Sequence, residues 1–337
     1  MTSSVQPSLR PRHKQRGLTL VELMVGLTLG LIVISSLLLV LAHASTRGQD
    51  LARTSIQVEN GRYVAELFRE DIRMAGFFGE TSVAGAIYTQ PDPCATAPVG
   101  WNGTPLTFPS PVQGYAAADV LGCLSDRRPG TDALVIRRVG VDIVDPATIP
   151  GGNRQYYVQY SYCVTDVFSP RLVFDRDRSA FTLRNRACAG VNTVRSYVSH
   201  IYYVANCSNC GAGGDTIPTL KRVDLVGNQL TTTPLAEGIE TLRFEYGFDV
   251  DGDGSPDTYL TALGALGPTS AWSNVVSVKA HFITRSVEKA TDTHLTGAQV
   301  FQFGGIAPIN TPADGYVRKA YTTAIRLVNP SAVRESQ

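Results

Sequence analysis

Charged side chains are scarce in this 337-residue chain, at 18% against about a quarter in an ordinary soluble domain. Part of the shortfall sits in one place, residues 18–42, where Glu22 is the only charge. There is no second long apolar run, which excludes a multi-span membrane protein. There is little excess of either sign, since the formal net charge is +1. A chain so close to neutral lacks the electrostatic footprint of a nucleic-acid binder. Internal repeats and low-complexity tracts are absent as well. So are the Gly-x-Ser-x-Gly elbow, the phosphate loop and the dinucleotide fingerprint. His13, His43, His200, His281 and His294 show no metal-ligand spacing. No reaction is therefore expected of the chain.

What is present begins with the predominantly apolar run of 25 residues, 18–42. As a helix they would extend about 37 Å, enough to cross a bilayer. Arg10, Arg12, Lys14 and Arg16 precede them, with no acid among the first 17 residues. A basic end before an apolar run stays cytoplasmic, which places the bulk of the chain on the far side. Without those four residues the net charge falls to −3. A secretory signal ends with small residues after a shorter apolar core. Here the candidate cut, after Gly17 and before Leu18, lies ahead of the apolar run and leaves the whole helix in the mature chain. Glu22 then becomes the fifth mature residue. A carboxylate at the centre of a membrane helix costs on the order of 3 kcal/mol, so a retained one points to use. Gly26 and Gly30 are four apart, a spacing that permits close helix approach.

The six cysteines, Cys94, Cys123, Cys163, Cys188, Cys207 and Cys210, all follow the apolar run. An even count in an exported region points to disulfides. Sequence order suggests 94–123, 163–188 and 207–210, although six cysteines allow 15 pairings. The Cys207-Ser-Asn-Cys210 pair reads as a loop staple rather than a redox or zinc motif.

Beyond residue 42 the helix is expected to continue. Val64, Leu67, Phe68, Ile72 and Ala75 recur at three- and four-residue spacing, with Glu66, Arg69, Glu70 and Arg73 between them. Gly76 and Gly79 end the pattern. From about residue 81 the composition turns to Gly, Pro, Thr and Ser. Strands are expected at 133–139, 155–162, 171–174, 197–204, 219–225, 239–248, 275–284 and 321–328, where Val, Ile, Tyr, Phe and Thr dominate. Residues 81–130 and 140–155 read as loop-rich. The C-terminal stretch, 316–330, alternates as a last strand that stops at Pro330. Arg127-Arg128, Arg137-Arg138 and Lys221-Arg222 read as solvated surface, because neighbours in a strand face opposite ways.

One local motif carries metal chemistry. Asp249, Asp251, Asp253 and Asp257 stand at places one, three, five and nine of a loop with Gly254 at six. That matches the start of a calcium loop. The twelfth place is Leu260, so a full EF-hand is excluded. The competing reading is an acidic hairpin turn, since Asp-Gly favours turns.

The N-terminal pattern of Lys14-Gln15-Arg16-Gly17 followed by Leu18-Thr19-Leu20-Val21-Glu22 resembles the class III signal of type IV prepilins. Residues 70–79, the acidic loop and residues 316–330 resemble the corresponding stretches of PilW-type minor pilins. The resemblance implies cleavage after Gly17 by the prepilin peptidase, methylation of Leu18, and pairing of Glu22 with a neighbour's N-terminal amine during assembly. The family's usual first mature residue is Phe, and Leu18 departs from it. The implied fold is α+β and pilin-like. It has a leader (1–17), a membrane and filament-core helix (18–42), an amphipathic continuation (43–76) and a β-rich head (77–337). The implied partners are other minor pilins, the major pilin and the inner-membrane assembly platform. Implied placement is a single inner-membrane span with a periplasmic head, and later the filament. The alternatives are a type II secretion pseudopilin and a tip adhesin or DNA receptor.

Overall fold

The computed structural model describes residues 17, 19–80, 86–166, 171–261, 269–290 and 297–336. They divide into two compact units, 1–52 and 53–337. Helix α1 (Leu20–Met74) contributes to both. Its first part is apolar all round, and its last three turns carry the amphipathic stripe foreseen from the sequence. Val64, Phe68, Ile72 and Ala75 are fully buried, and Leu67 packs at the edge of the same core. Gly76, in the left-handed region (φ +72°), terminates the helix, as glycine does without steric penalty.

The second unit is β-rich. Short strands β1 (Ile87–Thr89), β2 (Asn102–Gly103) and β3 (Leu106–Pro109) form a small sheet in the order β1-β3-β2. A seven-stranded sheet holds β4 (Val112–Tyr115), β5 (Ala133–Val139), β6 (Tyr157–Tyr160), β7 (Leu172–Asp175), β8 (Val194–Ala205), β9 (Thr219–Val226) and β10 (Gln229–Glu237). Its main path is β10-β9-β8-β5-β4, with β6 and β7 joined through β8. Strands β11 (Ile239–Phe248), β12 (Thr258–Leu260), β13 (Val275–Arg285) and the last strand, β16 (Arg318–Arg326), make an antiparallel sheet ordered β12-β11-β13-β16. Between β13 and β16 lies a hairpin of β14 (Gln299–Phe301) and β15 (Ile309–Thr311).

The main core forms where the end of α1 (residues 64–74) and Ala75 meet both large sheets. Phe68 lies at its centre, edge-on to Tyr202, Phe244 and Phe282, with ring centroids at 5.4, 6.0 and 6.3 Å. Aromatic pairs prefer this arrangement, which adds about 0.5–1.5 kcal/mol each beyond burial. Gly61 admits the last strand to the helix: a Cβ there would collide with the Tyr321 ring. A second cluster, with Val135, Ile201 and Tyr203, fills the opposite face of β5 and β8. Both faces of β8 are thus buried, so its sequence shows no alternation.

Two expectations need correction. The C-terminal strand stops at Arg326, and helix α2 (Val328–Glu335) follows. Pro330 sits in its first turn, where a missing N–H costs nothing. The basic pairs are not mere solvated surface. Arg137 is 1% exposed and donates to Gln113 Oε1 (2.9 Å) and to the Pro91 carbonyl (2.9 Å). Lys221, also buried, bonds Asp126 at 2.8 Å. Strand alternation is irrelevant where both faces are covered.

Candidate functional site

In the first unit, Gly17 is described and exposed, while Leu18 lies outside the described residues. Thr19 caps α1. Its carbonyl accepts from the Leu23 N–H at 3.1 Å. Its N–H and its hydroxyl both donate to Glu22 Oε2 (3.1 and 3.0 Å), and the Glu22 N–H donates back to Thr19 Oγ1 (3.3 Å). This reciprocal capping box satisfies helix-start donors that otherwise lack partners. The carboxylate also faces the positive end of the helix dipole.

Residues Leu20–Ser45 form a helix long and apolar enough to cross a membrane, and none of its hydrophobic window is buried in the chain. The polar side chains within it bond to their own helix: Thr28 to the Val25 carbonyl (2.9 Å), Ser35 to that of Leu31 (2.7 Å) and Ser36 to that of Val33 (2.8 Å). Hydroxyls closed in this way can enter lipid or a helix bundle without an unpaired donor. A Cβ built at Gly26 or Gly30 would meet nothing within 4 Å, so neither glycine is required by the chain's own packing.

In the second unit, the acidic loop joins β11 to β12. Asp249, Asp251 and Asp257 bring carboxylate oxygens within 4.8 Å of one another. Asp253 stands apart from this group and accepts from the Ser255 N–H at 2.7 Å. Asp249 is fully buried. Its oxygens accept from the N–H groups of Gly252 (2.6 Å) and Gly254 (2.9 Å) and from Arg334 of α2 (3.2 Å). Burial disfavours its charged form, but these donors outweigh burial and hold its pKa below the ordinary carboxylate value. Gly254, at φ +83°, passes close to Ser331 and Glu335, so the loop is clamped onto α2. The sequence carried no sign of that clamp, because Arg334 lies 85 residues away.

The cysteines pair as 94–123, 163–188 and 207–210. Cys94 and Cys123 pack against the second core cluster. The short 207–210 bridge lies beside Asp126 and Lys221, with Lys221 Nζ 3.3 Å from Cys210 Sγ.

Two buried polar networks escaped sequence reasoning. Asp71 of α1 bonds His200 Nδ1 (2.5 Å), the Tyr202 hydroxyl (2.9 Å) and Arg138 Nε (3.2 Å). Burial works against its charge, yet these partners hold its pKa at about 2. His281 Nε2 lies 2.8 Å from Glu245 Oε2, and burial pushes the histidine pKa down despite that partner. Asp71 follows Glu70 between apolar stripe positions, and only that misplaced acid hinted at a role.

Residues 201–329 match the family described as Type IV Pilus-assembly protein W. Residues 12–38 match the prokaryotic N-terminal methylation motif. Together the two matches support a PilW-type minor pilin. It works in type IV pilus assembly, and its family domains are structural. The PilW match runs from the second half of β8 into α2, and so takes in β9 to β16 and the acidic loop but not β4 to β7. No curated protein and no solved structure matches the chain. The fold agrees with the membership: an α+β pilin-like chain with one apolar N-terminal helix and a large antiparallel head.

Proposed function

We propose that this minor pilin acts in the priming or tip complex of the pilus, through protein–protein contact rather than chemistry. The observation that carries the reading is the wholly uncovered apolar stretch of α1. Leaving so many Leu, Ile and Val side chains in water costs about 1.5–3 kcal/mol each, so lipid must cover them before assembly and neighbouring helices afterwards. In this reading the prepilin peptidase cuts after Gly17 and Leu18 is methylated. The chain then waits as a single span of the inner membrane with its head in the periplasm. Glu22 pairs with the N-terminal amine of an adjoining subunit, because a buried carboxylate is tolerated only when paired. Its partners are other minor pilins, the major pilin and the assembly platform. The size of the head suits a position used once rather than a repeating one. Immunogold labelling of sheared pili is the test: label at filament ends supports the reading, and label along the shaft refutes it.

The same reading assigns Ca²⁺ to the acidic loop. The support is the convergence of Asp249, Asp251 and Asp257 oxygens within 4.8 Å, a span that one cation with ligands at about 2.4 Å bridges. Asp253 would remain outside the coordination. The cation would fasten the loop against α2.

A further inference from the structure

The 207–210 bridge closes the loop between β8 and β9. Sequence alone makes it a staple, but its surroundings set it apart from the other two bridges. Cys210 is exposed, whereas the other five cysteines are buried or half-buried. Cys163 is 6% exposed, and Cys94 and Cys123 pack against the second core cluster. A thiol in solution therefore meets this bridge most readily.

Three observations give the bridge a chemistry. The first is a cation at sulfur. Lys221 of β9 is buried, and its Nζ lies 3.3 Å from Cys210 Sγ. A cation so placed stabilises a thiolate and makes that sulfur the better leaving group.

The second is a carboxylate at the same sulfur. Asp126 Oδ2 lies 3.3 Å from Cys210 Sγ and 2.8 Å from Lys221 Nζ. Its Oδ1 accepts from the Tyr203 hydroxyl at 2.9 Å. Asp126 works against a thiolate but can accept from a thiol. A reduced Cys210 thus has a partner in either protonation state. While the bridge is closed, Lys221 and Asp126 satisfy each other.

The third is how little the fold depends on the bridge. Its cysteines are 3 residues apart, against 29 and 25 in the other two. A bridge and a fold stabilise each other equally, and loop-closure entropy is smallest for the shortest loop. The fold therefore protects 207–210 least. The loop also has a second hold on its shape. Asp215 accepts from the N–H groups of Ser208 (2.8 Å), Asn209 (2.8 Å) and Ile217 (2.9 Å). Opened thiols would stay near each other and could close again.

We infer that Cys207–Cys210 is a thiol-exchange site, opened and reclosed by a dithiol while the other two bridges stay shut. A thiolate of the dithiol attacks Cys207 Sγ and forms a mixed disulfide there. The 207–210 bond breaks, and its electron pair leaves on Cys210 Sγ beside Lys221. The second sulfur of the dithiol, as thiolate, then displaces Cys207 and closes the reductant's own disulfide. Two electrons pass from dithiol to bridge, and the two protons of the dithiol go to the cysteine sulfurs or to solvent. The inference does not depend on where the subunit sits in the filament.

The test uses the full chain in phospholipid nanodiscs. It is equilibrated at pH 7 in graded ratios of reduced to oxidised dithiothreitol, alkylated with N-ethylmaleimide and mapped by peptide mass spectrometry. The expected result is that 207–210 opens at a ratio about tenfold or more below that of either other bridge. Lys221→Met should raise the ratio for 207–210 about tenfold, and Lys221→Arg, which keeps the charge, should return it towards wild type. Bridges 94–123 and 163–188 opening at their wild-type ratios show that a variant has kept its fold. Opening of 207–210 together with the others, or after them, in the wild-type chain overturns the inference whatever the variants do. So does a 207–210 ratio that Lys221→Met leaves unmoved.

Discussion

Thr19 and Glu22 hold each other: the threonine N–H and hydroxyl both reach the glutamate Oε2, and the Glu22 N–H returns a bond to the threonine hydroxyl. The acidic residue that assembly would use in a second chain therefore already serves the helix start of its own. The two roles separate by substitution. Glu22→Gln keeps an N3 acceptor for the cap and removes the charge, whereas Thr19→Ala weakens the cap and keeps the charge. If pairing with a neighbour is what matters, Glu22→Gln lowers incorporation into sheared pili about tenfold or more. Thr19→Ala then incorporates nearly normally. Quantitative immunoblots of sheared pili read both. Normal incorporation of Glu22→Gln would leave capping as the only role of Glu22.

The acid sensitivity of the head should carry the signature of Asp71. Its folded pKa, about 2, lies below its ordinary value of 3.8. A carboxylate depressed in the fold binds protons more readily when unfolded, so it stabilises the fold fully above about pH 4. That contribution, about 2 kcal/mol, is lost as pH falls from about 4 to 2. Urea unfolding of wild type and Asp71→Asn across that range should show the two curves converging on acidification. Parallel curves would contradict the pairing with His200 and Arg138.

How far the sequence foretold this varied with the physics of each segment. The apolar helix, its lone Glu22 and the stripe of Val64, Phe68 and Ile72 were plain because a helix burying one face writes its period into its sequence. Strand β11 alternates and was placed at Ile239–Phe248, as found. Strand β10, Gln229–Glu237, was missed, because its Thr-rich and largely exposed residues offer no apolar face. Pro330 reads in sequence as the stop of a strand, whereas in the fold it lies in the first turn of α2. The buried ends of Arg137 and Lys221 were hidden for a different reason. Their partners, Gln113 and Asp126, are distant in sequence, and no local pattern encodes a long-range hydrogen bond or ion pair.

The acidic loop supplies a sharper test. If Ca²⁺ binds through Asp249, Asp251 and Asp257, millimolar Ca²⁺ raises the melting temperature of the full chain in nanodiscs by several degrees; saturation at about 100 times Kd is worth about 2.7 kcal/mol. Asp251→Asn and Asp257→Asn should abolish the rise, and Asp253→Asn should preserve it. A melting temperature indifferent to Ca²⁺ would leave Arg334 as the loop's sole countercharge.

The disulfides should differ in worth. Bridge 94–123 spans 29 residues and bridge 207–210 spans 3. Loop-closure entropy assigns them about 3.5 and about 1.5 kcal/mol. Paired Cys→Ser variants compared by urea unfolding should therefore rank in that order. The reverse order would mean that the contact of Cys210 with Lys221 outweighs chain entropy.

Helix glycines offer a further contrast. Gly61→Ala would drive a methyl into the Tyr321 ring and should cost about 1–3 kcal/mol. Gly26→Ala meets nothing and should leave the head's unfolding unchanged. A loss of piliation in Gly26→Ala with a stable head would place that glycine at a contact between helices of different subunits.

The most direct measurement is a count of surface pili by electron microscopy in a strain lacking this chain, with secreted enzymes assayed in the same cultures. The account predicts that pili are lost, that secretion persists, and that the wild-type chain restores piliation. Intact pili with failed secretion would contradict it and move the protein to a secretion apparatus.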